Sequence, residues 1–518
     1  MERKARFLRR CLIGFCLLLT ACSPRAVPAV PTAAAQPTLP AAPAANLPAS
    51  TIFPAAWDDR SMFAAGLLPA EASAALQGLP QASLYRMDMT IAEDLTHVRG
   101  AMEVRYTNAE AQPLNEVVFR LFPNLFGQYL QVAALRVNGQ SLLGRLTDQD
   151  TVLHVPLEQP LQPGQALVIA LDFQLRVPQE AGSNYNTLAY TDEVLTLAQF
   201  YPLIPVYDAA GWHVEMPPRH GDVTYSDTAF YWVRVHAPQD LTLVASGVQT
   251  AQEPQNGQQV LTVVAGPMRD FYLAGSSRLV RFSQQTGGTQ VNSYVLRERE
   301  KAGPFALQTA VQSLQSFNRR FGQYPYTEFD VVSTPTEAMG VEYPGVVVLN
   351  AQLYDLQAEQ NGTPLRTLLE TTIAHEAAHQ WFYALIGNDQ INQPWLDEAL
   401  AQYATGRYGL DTGGEAYLNG LRLSWEGRLA RAGDTLRPIG LPVAAYTPVE
   451  YSAFVYGRGP LFVEALARQM GPQNMEAFLK DYFQRYRWQI ATRQDFQVLA
   501  EQTCTCDLDA LFAEWVDP

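Results

Sequence analysis

The sequence predicts a multidomain α+β protein in which a β-rich domain is followed by a mixed α/β domain. The chain has 518 residues, more than one domain at roughly 100–200 residues each. Short runs rich in Val, Leu, Tyr and Thr alternate with turn residues over 83–282, whereas apolar positions after residue 295 recur at helical spacing. Hydrophobic residues make up 47% of the chain and charged residues 17%, a balance that excludes disorder throughout.

Residues 1–22 have the pattern of a secretory signal. Basic residues precede an apolar run over Cys11–Leu19, which is too short to span about 30 Å of hydrocarbon. The run ends in Leu19-Thr20-Ala21-Cys22, which resembles a bacterial lipobox. This resemblance implies that Cys22 carries lipid and anchors the protein to a membrane of the bacterial cell envelope, on its periplasmic or cell-surface side. An ordinary signal peptide with a chance cysteine is the alternative.

Residues 23–55 are predicted to form a flexible tether between this anchor and the globular part. The segment is dominated by Pro, Ala and Thr, carries almost no charge and shows no apolar periodicity. Such a composition favours extended polyproline conformations.

Residues 80–290 are predicted to form an antiparallel β domain, because short strand-like runs follow one another with few helical stretches. Residues 291–518 are predicted to form the α/β domain. Its principal predicted elements are helices over Pro304–Phe321, Pro364–Ile386 (with Thr363 as N-cap) and Pro394–Tyr408, and strands over Phe329–Ser333 and Val346–Leu349. The last third of the chain is expected to be mostly helical.

The net charge of the chain limits the classes of molecule that it could bind. Lys and Arg total 36 and Asp and Glu total 51, so the formal net charge is −15 and nothing favours nucleic-acid binding electrostatically.

Of the five cysteines, Cys504 and Cys506 form a pair in the C-terminal region. A local disulfide suits export to an oxidising compartment, but two free thiols are an equal alternative.

The segment His375-Glu376-Ala377-Ala378-His379 is the clearest candidate for a functional site. Two histidines at i and i+4 lie one turn apart on one helix face, so both rings can bind one metal ion. The glutamate between them is placed to act on the attacking water. Glu398, nineteen residues after the second histidine, is the candidate third ligand. Asp397 is the weaker candidate, since neighbouring helix positions diverge by about 100°.

This pattern resembles the M1 family of zinc aminopeptidases, the gluzincins, whose signature is HExxH-x18-E. The similarity extends to the Trp395–Tyr403 segment (WLDEALAQY) and to Phe321–Tyr326 (FGQYPY). Further similar segments are Phe119–Asn124, Gln199–Asp208 and Asp507–Trp515. The resemblance covers about residues 80–518 and implies a thermolysin-like α/β zinc peptidase domain. It also implies a short form without the C-terminal helical domain of many members.

The resemblance further implies one zinc ion per chain, bound by His375, His379 and Glu398, with Glu376 as general base and acid. Tyr456, in a glycine-flanked segment similar to the family's Y-x-K-G sequence, is expected to stabilise the oxyanion. Tyr446 and Tyr451 are nearby competitors for that role.

The segment Met339-Gly340-Val341-Glu342-Tyr343 resembles the family's GxMEN exopeptidase motif, with Val341 and Tyr343 departing from it. Glu342 is therefore expected to hold the free amino group of a peptide, with Gly340 beside it in the substrate site. Gln199 is a further candidate for the first substrate subsite.

The sequence thus predicts a zinc metallopeptidase that removes N-terminal residues from peptides outside the cytoplasm. Three alternatives stay open. An endopeptidase would use the same zinc chemistry without an amine-binding residue. A non-peptide hydrolase could use the same scaffold, and a catalytically inactive lipoprotein could serve as a binding module.

Overall fold

A computed structural model describes residues 47–179 and 184–518. All of these residues belong to one compact unit. The predicted signal segment, with Cys22, and residues 23–46 of the predicted tether lie outside the described residues. Among the described residues, no helix is both long enough and apolar enough to cross a membrane.

The predicted C-terminal boundary of the tether, residue 55, is wrong, because residues 47–55 pack against the β-rich part. Phe53 is buried and stacks on Trp232 with ring centroids 4.1 Å apart. Arg86, also buried, donates hydrogen bonds to the carbonyls of Phe53 (3.1 Å) and Ala55 (2.9 Å). Thr51 donates from its backbone N–H to Glu103 at 2.9 Å. The Pro/Ala-rich composition gave no indication of these long-range contacts.

The β-rich part contains seventeen strands among the described residues. They are β1 (Leu84–Ile91), β2 (His97–Thr107), β3 (Leu114–Arg120), β4 (Leu130–Val137), β5 (Gln140–Ser141), β6 (Arg145–Thr147), β7 (Val152–Leu161), β8 (Ala166–Arg176), β9 (Leu188–Thr191), β10 (Val194–Leu197), β11 (Tyr207–Asp208), β12 (Gly211–Trp212), β13 (Ala229–Pro238), β14 (Thr242–Ala245), β15 (Val248–Gln255), β16 (Gln258–Met268) and β17 (Leu273–Ser276).

These strands form an eight-stranded sheet in the order β15-β16-β13-β1-β2-β8-β4-β5, a four-stranded sheet in the order β14-β17-β10-β9, a three-stranded sheet β3-β7-β6 and the pair β11-β12. The prediction of antiparallel pairing is correct except at the centre of the large sheet. There β1 and β13 run parallel, with Leu84 opposite Phe230 and Met89 opposite Val235. Parallel neighbours require a long crossover, which the intervening strands and loops provide.

The α/β part is built on a five-stranded sheet in the order β18-β19-β20-β22-β21. Its strands are β18 (Leu279–Thr286), β19 (Thr289–Leu296), β20 (Glu328–Thr334), β21 (Gly340–Tyr343) and β22 (Val346–Asn350). Strands β19, β20 and β22 are parallel, whereas the two outer strands pair antiparallel to their neighbours. The predicted domain boundary at residue 290 falls inside the β18–β19 hairpin, so this sheet begins at Leu279.

Nine α-helices lie among the described residues, and four further strands form short pairs. The helices are α1 (Pro69–Gln77), α2 (Gly303–Arg320), α3 (Leu365–Ala378), α4 (Trp395–Leu429), α5 (Pro448–Ala453), α6 (Gly459–Met470), α7 (Pro472–Tyr486), α8 (Arg493–Cys504) and α9 (Asp509–Trp515). The pairs are β23 (Glu359–Gln360) with β24 (Thr363–Pro364), and β25 (Ile386–Gly387) with β26 (Gln489–Ile490). The amphipathic pattern predicted for α2 corresponds to its buried face, which includes Leu307, Ala310, Val311, Leu314 and Phe317.

The β-rich part and the helical part are joined by a buried arginine. Arg269 is 2% exposed and follows β16. Its guanidinium donates hydrogen bonds to the carbonyls of Ser226 (3.0 Å), Tyr383 (2.8 Å), Leu385 (3.5 Å) and Gln489. One side chain therefore connects a loop of the β-rich part to the chain after α3 and to β26.

Cys504 and Cys506 form a disulfide at the end of α8. Of the two alternatives that the sequence left open, the structure has the bridged one.

Candidate active site

Helix α3 carries the HEAAH segment, but it is shorter than predicted. It begins after Pro364, which takes the N-cap position predicted for Thr363, and it ends at Ala378 instead of Ile386. Beyond it, Trp381 donates its indole N–H to the carbonyl of Gly322, and Tyr383 adopts a φ of 125°. The aromatic residues after His379 have helical spacing, so the sequence pattern predicted a continuing helix instead of this turn. Its cause is tertiary packing together with the hydrogen bond from Arg269.

The two histidines of α3 meet at their Nε2 atoms, which are 3.2 Å apart. His379 is 1% exposed and lies at the C-cap of the helix. Its Nδ1 is 3.1 Å from the carbonyl of Phe382 in the turn just described. An Nδ1–H donated to that carbonyl leaves Nε2 free as a ligand atom and fixes the ring orientation. The early end of α3 thus orients the second histidine.

Glu398 lies in the first turn of α4 and completes the cluster. Its Oε2 is 3.3 Å from Nε2 of His375 and 3.5 Å from Nε2 of His379. Burial is the largest effect on the pKa of Glu398 and opposes ionisation, but the interactions with His375 and His379 together outweigh it and lower the pKa. Asp397 points elsewhere, and its Oδ1 accepts the backbone N–H of Glu398 at 2.7 Å. Of the two candidate carboxylates, Glu398 is the one beside the histidines.

Helix α4 extends well beyond the predicted end at Tyr408. It runs from Trp395 to Leu429, with an interruption at Gly414, where φ is 68° and ψ is −163°. The glycines near residue 414 suggested a helix end, but the chain resumes a helical path after the interruption. The second half of α4 thereby reaches back to line the site.

The donor set fits a zinc ion. Two imidazole nitrogens and one carboxylate oxygen converge, which is the ligand chemistry of catalytic zinc sites. Oε2 of Glu398 is buried and has no hydrogen-bond partner among the described residues. Three carboxylates, those of Glu342, Glu376 and Glu398, lie in this buried region. A divalent cation would offset the cost of burying their charges.

Glu376 lies against strand β21 at Gly340. A Cβ atom at Gly340 would be 2.6 Å from Cγ and 2.7 Å from Cδ of Glu376, closer than van der Waals contact allows. The glycine therefore lets the carboxylate lie directly on the strand. Burial, followed by repulsion from Glu342, raises the pKa of Glu376 well above its usual range. Gly340 acts here by making room for the base.

Glu342 lies two residues along the same strand, close to Glu376 and His379. Its Oε1 accepts a hydrogen bond from Gln390 at 3.2 Å. Burial and the nearby Asp222 raise its pKa to about 8, against the attraction of His379. A cationic ligand would stabilise the ionised form of a carboxylate in this environment.

Gln380 fixes the strand that carries Glu342 relative to α3. It is fully buried, donates to the carbonyl of Tyr343 at 3.0 Å and accepts the N–H of Gly345 at 2.8 Å. The sequence analysis missed this residue, although its place directly after the second histidine could have drawn attention to it.

Tyr456 lies on a short π-helix, Phe454–Arg458, and its hydroxyl donates a hydrogen bond to Oε1 of Glu398. Gly457 allows this segment to approach α4, because a Cβ there would be 2.9 Å from the carbonyl oxygen of Trp425. π-Helical turns are frequent at functional sites. Burial, followed by repulsion from Glu398, raises the pKa of Tyr456 well above its usual value, so the phenol stays protonated.

The competing tyrosines differ in position. Tyr446 donates its hydroxyl to the carbonyl of Pro438 and does not line the cavity. Tyr451 does line it, and its buried hydroxyl has no hydrogen-bond partner among the described residues. Of the three, Tyr456 contacts the carboxylate beside the histidines.

A cavity of about 480 Å³ contains these groups. It is lined by α3, both halves of α4, strand β21, the loop around residue 222 and the segment 448–456. Asp222, His220, Gln390 and Arg428 also line it and were not predicted. These residues come from scattered segments without motif spacing, so no pattern in the sequence could assign them.

Gln199, predicted for a substrate subsite, lines the cavity. Its side-chain amide donates to Asp270 at 2.8 Å, so its position is fixed from behind. Tyr383 donates to the same carboxylate at 3.3 Å. Burial raises the pKa of Asp270 to about 6, although both hydrogen bonds oppose the shift.

Residues 305–515 match the family model described as the peptidase family M1 domain. The matched region contains both histidines, Glu376, Glu398, Glu342 and Tyr456.

Curated relatives are aminopeptidases of greater length. Aminopeptidase M1-B of Oryza sativa subsp. japonica is 26% identical over 249 residues, which is 44% of this chain and 27% of that protein. Aminopeptidase M1 of Arabidopsis thaliana is 25% identical over 300 residues, 55% of this chain and 34% of that protein. The aligned region thus spans about a third of the length of these relatives.

Among solved structures, an M1 zinc metallopeptidase from Deinococcus radiodurans is similar in fold, with a TM-score of 0.64 and 20% identity. The alignment covers 84% of this chain and 94% of that one. A variant of that protein bound to a Tyr-Ser-Ala substrate aligns with a TM-score of 0.61 and 21% identity, again over 84% of this chain and 94% of that one. The mixed α+β architecture, with N-terminal β-sheets and a helical part, is therefore shared with two-domain M1 metallopeptidases.

Proposed function

We propose that this protein is a zinc-dependent aminopeptidase that removes single residues from the free amino ends of peptides. One observation carries the proposal: Glu342 lies in the same buried cavity as the cluster of His375, His379 and Glu398. The match of residues 305–515 to the M1 domain supports it. We further propose that the region from Leu279 onward is a thermolysin-like catalytic domain.

His375, His379 and Glu398 would hold one zinc ion. When bound, zinc would supply Lewis acidity toward the scissile carbonyl and a positive charge that favours ionised Glu376. Glu376 takes a proton from the attacking water and gives it to the leaving amine. The contact of Glu376 with strand β21 at Gly340 holds this base in position through both transfers.

Tyr456 donates its hydroxyl proton in a hydrogen bond to the developing oxyanion. Its raised pKa keeps the proton on the phenol throughout. Because the hydroxyl contacts Glu398, the donor lies beside the ligand cluster, where a scissile carbonyl would lie.

Glu342 binds the ammonium group of the substrate. Its distance from bulk water strengthens the pairing, and the cationic ligand offsets the cost of ionising a buried carboxylate. An endopeptidase has no use for such a residue, since an internal peptide bond offers no ammonium group. The amine-binding carboxylate therefore favours removal of residues from one end.

The test compares an unblocked peptide with its N-acetylated counterpart, using protein with measured zinc content. We expect cleavage of the free peptide, cleavage of the acetylated one slower by about 30-fold or more, and loss of activity on chelation. Glu376→Gln should keep zinc and lose about 10²- to 10⁴-fold in rate. Full activity in metal-free protein would end the zinc assignment, and equal cleavage of the two peptides would make the protein an endopeptidase.

We also propose that the protein is a lipoprotein of the bacterial cell envelope, anchored through Cys22. The basic start, the short apolar run and the lipobox-like sequence support this location. The disulfide between Cys504 and Cys506 suits an oxidising compartment. Cys22→Ser should release active protein from membranes, and unchanged membrane fractionation of that variant would remove the anchor.

A further inference from the structure

Arg428 is the one lysine or arginine among the described residues that line the cavity. It lies in the second half of α4, and its side chain is half-buried. The other charged or titratable residues in the lining are four carboxylates (Asp222, Glu342, Glu376 and Glu398), three histidines and the tyrosines. A single fixed cation in such a lining needs an explanation.

The guanidinium of Arg428 has little bonding of its own. Its Nη1 donates to Oγ of Ser452 at 3.2 Å, and within the described residues no carboxylate oxygen lies within 4.0 Å of it. By contrast, Arg422 on the same helix is paired closely with Glu464, at 2.7 Å. Burial, the largest effect, lowers the pKa of Arg428. A guanidinium presents five N–H donors, so most of this capacity is available to a ligand.

Arg428 and Glu342 lie near different members of the ligand cluster. Gly457 brings the π-helix against α4, so the guanidinium carbon of Arg428 lies 5.7 Å from the ring centroid of Tyr456. The Tyr456 ring is in turn 6.1 Å from the ring of His375. Glu342 is instead grouped with Glu376 and His379. A negative side chain therefore lies beside His379, and a positive one lies beyond Tyr456 from His375.

We infer that Arg428 binds the C-terminal carboxylate of short peptides, so that the preferred substrates are unblocked di- and tripeptides. This inference rests on the proposed aminopeptidase function. An extended residue spans about 3.3–3.6 Å, so the two ring steps from His375 to Arg428 leave room for at most about three residues beyond the cleaved bond. A zwitterionic short peptide matches both charges, and guanidinium–carboxylate pairs provide planar, two-pronged recognition.

The experiment uses three substrates with the same N-terminal residue: a tripeptide acid, its C-terminal amide, and an aminoacyl p-nitroanilide, which has no carboxylate. We expect the zinc-loaded wild-type enzyme to prefer the acid over the amide by about 10- to 100-fold in kcat/KM, or about 1.4–2.7 kcal/mol. Arg428→Gln should abolish this preference through KM and leave the anilide rate within about threefold. Arg431→Gln, which changes an exposed arginine three residues away, should keep it.

Binding provides a second readout, independent of turnover. Calorimetry on the Glu376→Gln variant should show the acid binding more tightly than the amide, and adding Arg428→Gln should remove the difference. Equal affinity of the acid and the amide, or an Arg428→Gln defect of the same size on the anilide, would overturn the role of Arg428. Failure of the wild-type enzyme to cleave any of the three substrates would instead overturn the proposed function.

Discussion

The helices and the strand side of the cavity contribute to the site in different ways. The helices supply the ligand cluster and the base from a five-residue segment at the C-terminal end of α3 and from the first turn of α4. The strand side supplies Gln199, Asp222, Gly340 and Glu342 from segments far apart in the chain. Helical spacing fixes the relative positions of the reactive groups locally, whereas the strand side depends on sheet register and long-range packing. The chemistry is therefore local in sequence, and substrate positioning is not.

The contact between the two sides gives the largest expected effect on kcat. Gly340→Ala would force the Glu376 carboxylate away from β21, since the new Cβ overlaps it. We expect kcat to fall about 100-fold, a typical result of misplacing a catalytic group by about 1 Å. Zinc content should be unchanged, because the ligand atoms are not displaced.

The matched control for Gly340→Ala is Gly420→Ala on α4, where a Cβ meets no atom within 4 Å. Its kcat should equal that of the wild type. Normal kcat in Gly340→Ala would show that the strand side does not position the base.

The amine-binding carboxylate is expected to affect kcat/KM on unblocked peptides. Glu342→Ala removes one partner of a buried charge pair, which costs about 2–5 kcal/mol. The lower limit corresponds to a loss of about 30-fold in kcat/KM on unblocked peptides. Zinc content should hold, and Glu337→Ala, an exposed site on the same segment, should behave like the wild type. An unchanged preference for free over acetylated peptides would remove Glu342 from the substrate site.

The smallest effect on rate is expected behind the strand side, at Asp270. Its pKa is raised to about 6 in the folded protein, above the ordinary 3.8, so the folded state holds the proton more tightly. Stability should therefore fall as pH rises from about 4 to about 6, by up to about 3 kcal/mol. Asp270→Asn removes this contribution, so the variant should match the wild type near pH 4 and exceed it at pH 7.

Thermal unfolding of both proteins across that pH range measures the effect, with kcat/KM expected to stay within about threefold. A constant stability difference between wild type and variant at all pH values would contradict the assignment. The measurement would show whether Asp270, behind the strand side, lowers the free energy of unfolding without affecting catalysis.

The same contrast explains what the sequence could predict. The HEAAH spacing and Glu398 were accessible, because helix geometry converts spacing into position. The order of β-rich and helical parts was also accessible from periodicity. The end of α3 at Ala378 was not, since a turn stabilised by Arg269 and buried aromatic residues overrides local helical preference. Arg428 and Asp222 were inaccessible for a similar reason, because only the tertiary fold brings them to the cavity.

The N-terminal segment shows the same limit. Residues 47–55 have the composition of a linker, yet Phe53 is buried and Arg86 binds the backbone of this segment. The composition of a segment indicates its conformation in isolation. It does not show that a buried arginine elsewhere in the chain will bind the backbone of that segment.

The hydrogen bonds from Arg269 to backbone carbonyls affect whether the helical part can be expressed as a separate fragment. A fragment starting near residue 290 would keep the acceptors on Tyr383, Leu385 and Gln489 but lose their shared donor. Leu385 would keep the backbone N–H of Trp488 as a donor, but the carbonyls of Tyr383 and Gln489 would lose the guanidinium, and buried carbonyls without donors are costly. Gly387, whose missing side chain leaves space that the guanidinium fills, would then border a void. The helical half is therefore unsuited to stand-alone expression, and exchange of β-rich parts between homologues requires a matching arginine and glycine.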